Sequence, residues 1–161
     1  MTARQYINEL FEVTAKQMGI PYVRTVAERL QEWSIDGNHK TFIALLDMDT
    51  STTVSFSQSD VNEVNLTLVA VVETENVNPE NNYTNEEVEY YKGLVSKNIY
   101  NFVQLVAKNI NVNTITYTTS EDEVFKDPKF LGIGLAFEMS IQVSDTIDTC
   151  DFFGNTQTET I

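Results

Sequence analysis

A single histidine, a single cysteine and ten basic residues among 161 leave most enzyme chemistries short of parts. Cys150 has no internal partner, so no disulfide scaffold is expected. That fits a reducing compartment, and equally a chain that needs no staple. No Lys or Arg lies near Cys150 in sequence to lower its thiol pKa, so it reads as a small apolar or tail residue. Any Ser–His–Asp or Cys–His catalysis would have to use His39 as its base. No G-x-S-x-G surrounds a serine, and His39 sits between a turn and a strand, where it reads as a solvated loop-end residue.

Other absences narrow the function further. There is no G-x-x-x-x-G-K-[ST] and no G-x-G-x-x-G. Gly132-Ile133-Gly134 lies inside a strand pattern and lacks the third glycine, so neither a phosphate cradle nor a dinucleotide fold is supported. No window approaches ~18 consecutive apolar residues, so no membrane span is expected. Met1 to Leu10 holds no apolar run, so no signal peptide is expected. Two glycosylation triplets, Asn65-Leu66-Thr67 and Asn82-Tyr83-Thr84, therefore carry little weight.

Positive charge is scarce relative to negative. Against 10 Lys and Arg stand 24 Asp and Glu, for a net charge of −14. Phosphate contact needs clustered Lys and Arg, so a sequence-specific nucleic-acid face is not expected. The imbalance is local. Residues 1–40 carry five basic and five acidic groups, and residues 41–161 carry the remaining five and 19. The whole excess lies after residue 40.

What is present is a hydrophobic fraction of 42 %, enough to fill the core of one domain. A single α+β domain over residues 1–161 is expected. Tyr6, Ile7, Leu10, Phe11, Thr14 and Met18 recur at helical spacing, which predicts a helix over about 2–18, capped by Thr2 and stopped at Gly19. Residues 22–33 read as either a short helix or an extended arm. From Lys40 the period becomes two. Strands are predicted within 40–73: Phe42 to Met48, Thr53 to Ser57, and Val64 to Val72. A polar loop over 74–83 contains Pro79. Thr84-Asn-Glu-Glu87 matches a capping box and opens a helix over about 84–109. Its apolar stripe is Val88, Tyr91, Val95, Phe102 and Val106, widened by Leu94, Ile99 and Val103.

Strands are predicted again within 113–145. Thr114 to Thr118 alternates, with Ile115 and Tyr117 on one face and three threonines on the other. Glu121 to Lys129 reads as a charged loop. Then Leu131, Ile133, Leu135, Phe137, Met139, Ile141 and Val143 hold seven successive odd positions. That alternation predicts a strand of roughly 40 Å with one buried face. Its odd positions carry no polar residue, which favours a packed core over a reactive pocket. Gly132 and Gly134 mark a bend or a close backbone approach. A flexible tail is expected over about 146–161. The economical arrangement is a mainly antiparallel sheet of about five strands with both helices on one face.

Carboxylate clusters are the nearest thing to a metal site. Asp47 with Asp49, and Asp145 with Asp148 and Asp151, are the closest-spaced sets. A calcium loop beginning at Asp47 would need a glycine where Thr52 stands and a Glu at its twelfth position. The second trio converges only on a helix. Both read as acidic surface, and no metal, cofactor or catalytic residue is expected. Tyr90 and Tyr91 adjoin on the second helix, so only one of them can face the core, which makes Tyr90 a contact candidate. Glu121, Asp122, Glu123 and Phe125 on the charged loop, with Phe152 and Phe153 on the tail, complete the candidate interface residues.

From Arg4-Gln-Tyr-Ile-Asn-Glu-Leu10 to Leu131-Gly-Ile-Gly-Leu-Ala-Phe-Glu-Met-Ser-Ile-Gln-Val143, the size and element order resemble the tail terminator, or tail-completion, proteins of long-tailed bacteriophages. The resemblance is one of architecture, without a diagnostic motif, and carries no individual residue across. It implies a non-enzymatic ring, usually a hexamer, in the virion. Such a ring is assembled in the host cytoplasm, caps the tail tube and joins it to the neck or connector. Apolar second faces, at Ile43 and Leu45 or at Val69 and Val71, would then be covered by a neighbouring subunit. The acidic excess would repel DNA passing through the ring. A head–tail connector or other adaptor, including a part of a host-side injection apparatus, is an alternative. A small ligand-binding or enzymatic α+β domain is another.

Overall fold

The computed structural model describes residues 3–25, 41–46, 51–55, 61–74, 83–109, 112–127 and 132–144. Among these residues eight elements follow in chain order: α1 (Ala3–Gln17), β1 (Tyr22–Thr25), β2 (Phe42–Leu46), β3 (Ser51–Ser55), β4 (Val61–Glu73), α2 (Asn85–Ala107), β5 (Val112–Asp127) and β6 (Gly132–Ser144). They form an α+β fold. No helix among the described residues is long and apolar enough to cross a membrane.

The stop of α1 and the cap of α2 fall where the sequence places them, while Thr2, expected to cap α1, lies outside the described residues. Gly19 takes φ +77°, a region open to glycine at little cost. Its N–H donates to the Lys16 carbonyl at 3.0 Å, and the Ile20 N–H to the Ala15 carbonyl at 3.0 Å. Those two bonds close α1 as a Schellman motif. At the start of α2, the Thr84 hydroxyl accepts from the Glu87 N–H at 3.1 Å, while the Glu87 carboxylate accepts from the Thr84 N–H at 2.8 Å. The capping box is complete, and such a cap stabilises a helix by about 1 kcal/mol.

The strands lie in the order β1-β2-β4-β6-β5, with β3 also paired to β4. The sheet is mixed. β1 runs parallel to β2, and the other pairings are antiparallel. The parallel edge comes from the segment that sequence left open between helix and arm: Tyr22–Thr25 is extended. After α1 the chain crosses back at Ile20 and Pro21, and the Ile43 N–H donates to the Pro21 carbonyl at 3.1 Å.

β5 also departs from expectation. The sequence reads Glu121 to Lys129 as a charged loop, yet the strand runs on to Asp127. Ser120 pairs with Ala136, and Val124 pairs with the next residue of β6, Leu135. Residues 121–123 are taken up in a bulge between those rungs, so pairing with β6 resumes beyond them.

The larger of two buried clusters joins both helices to the sheet. Ile7, Phe11 and Ala15 of α1 meet Val95, Ile99, Phe102 and Val106 of α2 over Leu66, Leu68, Leu135, Phe137 and Ile141. Phe11 and Phe102 pack edge to face, with ring centroids 5.1 Å apart. The odd positions of β6 from Ile133 to Val143 are all buried, as the alternation predicts. Leu94, expected to widen the α2 stripe, instead lies at its margin and is 37 % exposed. Thr14 is buried with its hydroxyl donating to the Leu10 carbonyl at 2.7 Å, so its polarity is satisfied.

A second, smaller cluster holds Phe42, Ala44, Leu46, Val69 and Val71. All five are buried within the single chain. Ile43 and Leu45 belong to the main core. The apolar second faces expected to await a neighbouring subunit are therefore already dry in one copy. Gly134 allows the closeness: a Cβ there would come within 2.7 Å of both the Ala70 carbonyl oxygen and Val71 Cγ2.

Candidate functional site

Where the second cluster stops, the sheet becomes polar on that same face. The register aligns three rows across β4, β6 and β5: Thr67–Glu138–Thr118, Asn65–Ser140–Thr116, and Glu63–Gln142–Thr114. Alternation puts each row's side chains on one face. The next row, Val69–Ala136, belongs to the second cluster. The rows form a depression of about 350 Å³ lined by Asn65, Thr67, Thr116, Thr118, Glu138 and Ser140. Thr116, Thr118 and Glu138 are exposed, and Asn65, Thr67 and Ser140 half-buried. At its end the Gln142 amide donates to Glu63 Oε2 at 3.4 Å.

The chemistry of the face is hydroxyl and amide, with two carboxylates and no Lys or Arg in the three rows. Such a surface accepts and donates hydrogen bonds but holds no fixed positive charge. Among the described residues no three His, Cys, Asp or Glu side chains converge as metal ligands would.

The contact candidates from the sequence do not gather on this face. Tyr90 lies on the outer side of α2, 63 % exposed, with its ring against the edge of Tyr91 at 5.0 Å. Tyr91 packs against the main core, so the two neighbours divide as their spacing predicts. Glu121, Asp122 and Glu123 belong to the β5 bulge, and Phe125 pairs with Gly134 in the backbone ladder. Phe152, Phe153, His39, Cys150, Asp47, Asp49, Asp145, Asp148 and Asp151 lie outside the described residues.

Sequence reasoning missed the polar rows as a unit. Their signal exists strand by strand, in Thr114, Thr116 and Thr118 and in the even positions of β6. Only the cross-strand register joins them.

A second exposed feature adjoins this face. In the sheet order β5 is an outer strand, and among the described residues it pairs with β6 alone. From Val112 to Ser120 it carries no charge and no proline.

No family model matches the chain, and no curated protein matches it.

Proposed function

We propose that the chain is a non-enzymatic structural subunit of a long-tailed phage virion: a tail terminator that forms a ring, caps the tail tube and joins it to the connector. The observation that carries this reading is the element order of the folded chain. An amphipathic helix, a group of strands, a second helix and a final pair of long strands close on one sheet, which is the order the resemblance implies. The reading takes the sheet as mainly antiparallel with both helices on one face. In its support, side chains of α1 and α2 share one buried cluster, and β1–β2 is the lone parallel pairing among the described strands.

Electrostatics agree with a DNA conduit. The net charge of −14 lies wholly after residue 40, and the polar rows hold Glu63 and Glu138 without a cation. Such a wall repels phosphates and lets DNA pass without adhering. In this reading the charge marks avoidance of DNA by a protein that stands beside it.

The test is negative-stain microscopy of the purified chain mixed with the tail-tube protein encoded by neighbouring genes. Rings of several copies seated on tube ends, halting further tube growth, are expected. Tubes that lengthen unchanged, with no chain bound to their ends, overturn the reading.

A further inference from the structure

We propose that the outer edge of β5 is a self-pairing surface, on which the same strand of a second copy lies antiparallel about a two-fold axis at Tyr117. This does not depend on the virion reading. Within that reading the pair is the free form of the subunit, because a two-fold contact cannot itself close a polar ring.

Four observations support the pairing. The first is the bare edge. β5 is 16 residues long and stands outermost among the described strands, with β6 on its inner side. A long edge strand offers a row of unused N–H and C=O groups, which proteins normally guard with Lys, Pro or an early bulge. Val112 to Ser120 has neither Lys nor Pro. The register with β6 is regular from Thr114 to Ser120, between the irregularities at Val112/Thr114 and Ser120/Val124.

The second is the anchor. The midpoint of that regular run is Tyr117, an exposed aromatic at 36 %. It faces the same side as Ile115, but it is not among the side chains packed on the core, whereas Ile115 is. A tyrosine at the centre of a regular edge run suits a protein contact, giving area with a wettable hydroxyl.

The third is complementarity. A two-fold at Tyr117 sets Tyr117 against Tyr117 and Ile115 against Thr119. On the other face it sets Thr116 against Thr118 and Thr114 against Ser120. Aromatic, β-branched and hydroxyl pairs of this kind stabilise neighbouring strands.

The fourth is charge, and it selects the direction. Glu121, Asp122 and Glu123 follow the run. Antiparallel pairing turns the acidic end of the run towards the uncharged start of the same strand, at Val112 and Asn113 of the second copy. Parallel pairing would set the two acidic triplets side by side. Length selects the partner strand: the other outer strands, β1 and β3, have four and five residues. Among the described outer strands of one copy, β5 alone matches β5 in length.

Two experiments test this. Light scattering on size-exclusion eluate at micromolar concentration should give twice 18.3 kDa. Tyr117→Lys puts two ammonium groups across the axis and should weaken the pair about tenfold or more, leaving the circular-dichroism spectrum unchanged. For the register, Thr116→Cys and Thr118→Cys chains, each also carrying Cys150→Ser, are mixed and oxidised. Covalent dimers should form between the two variants and far less within either alone.

A wild-type chain that stays monomeric sinks the proposal. So does a dimer that Tyr117→Lys leaves intact, or equal cross-linking of each variant with itself. A monomeric chain that still forms rings on tube ends would remove the pairing and leave the terminator reading standing. A β5 dimer that binds no tube would do the reverse.

Discussion

The two faces of the sheet differ in how far their burial extends. The face that carries the main cluster is dry from Val72 and Ile133 at one end to Val64 and Ile141 towards the other. The opposite side is dry over Phe42, Val69 and Val71 and then, one row further along the same strands, opens at Thr67 and Glu138. The transition is written into β4. From Val64 to Thr67 apolar and polar residues alternate, whereas from Leu68 to Val72 every residue is apolar. β2, which pairs with the second half, reads Phe-Ile-Ala-Leu-Leu, buried at all five positions. Alternation marks a strand with one wet face, and an unbroken apolar run marks a strand covered on both. A single strand here carries both signatures in sequence.

The largest test of this contrast lies in the main cluster. Phe102→Ala removes a ring buried at 0 % exposure that meets Phe11. It should cost about 3–5 kcal/mol, read as a fall in the urea midpoint at unchanged slope. A loss below about 1 kcal/mol would mean that the two helices are not held by this contact.

Next comes the closed half of the opposite face. Gly134→Ala adds a methyl group where 2.7 Å separates it from the Ala70 carbonyl oxygen, a backbone atom that cannot swing aside. A destabilisation of about 1–3 kcal/mol is expected in the same titration. A neutral outcome would show that β4 and β6 part readily there.

The smallest effect belongs to the open half. Glu138→Gln changes an exposed residue flanked across the strands by Thr67 and Thr118. Thermal unfolding should place it within about 0.5 kcal/mol of the parent chain. A larger loss would mean that this carboxylate takes part in a structural network, and the contrast between the halves would fail.

Local signals in the sequence marked the parts of the fold that local chemistry decides. The Thr84–Glu87 box, the Gly19 stop and the β6 alternation each depend on residues within a turn or strand of one another. What sequence missed depended on partners elsewhere. Tyr22–Thr25 is a strand because β2 lies alongside it, and four residues without a clean period carry no instruction of their own. Val124 to Asp127 returns to the ladder because β6 is long enough to receive it. The polar rows are invisible for the same reason: Asn65, Ser140 and Thr116 become neighbours only through register. Tyr90 could be placed because a helix fixes its own angular spacing.

The central ladder has one more consequence, for the order of events in time. β4 pairs with β6 along its whole length, Val61 with Ser144 and Glu73 with Gly132. Between those strands the chain must make α2 and β5. During synthesis β4 therefore emerges long before its main partner, while β5 and β6 follow each other closely and can form a hairpin at once. Contacts so distant along the chain close slowly, because loop entropy must be overcome before any of them forms. The sheet should thus be completed in a late, cooperative step, with amides of the β4–β6 ladder exchanging with solvent most slowly of all.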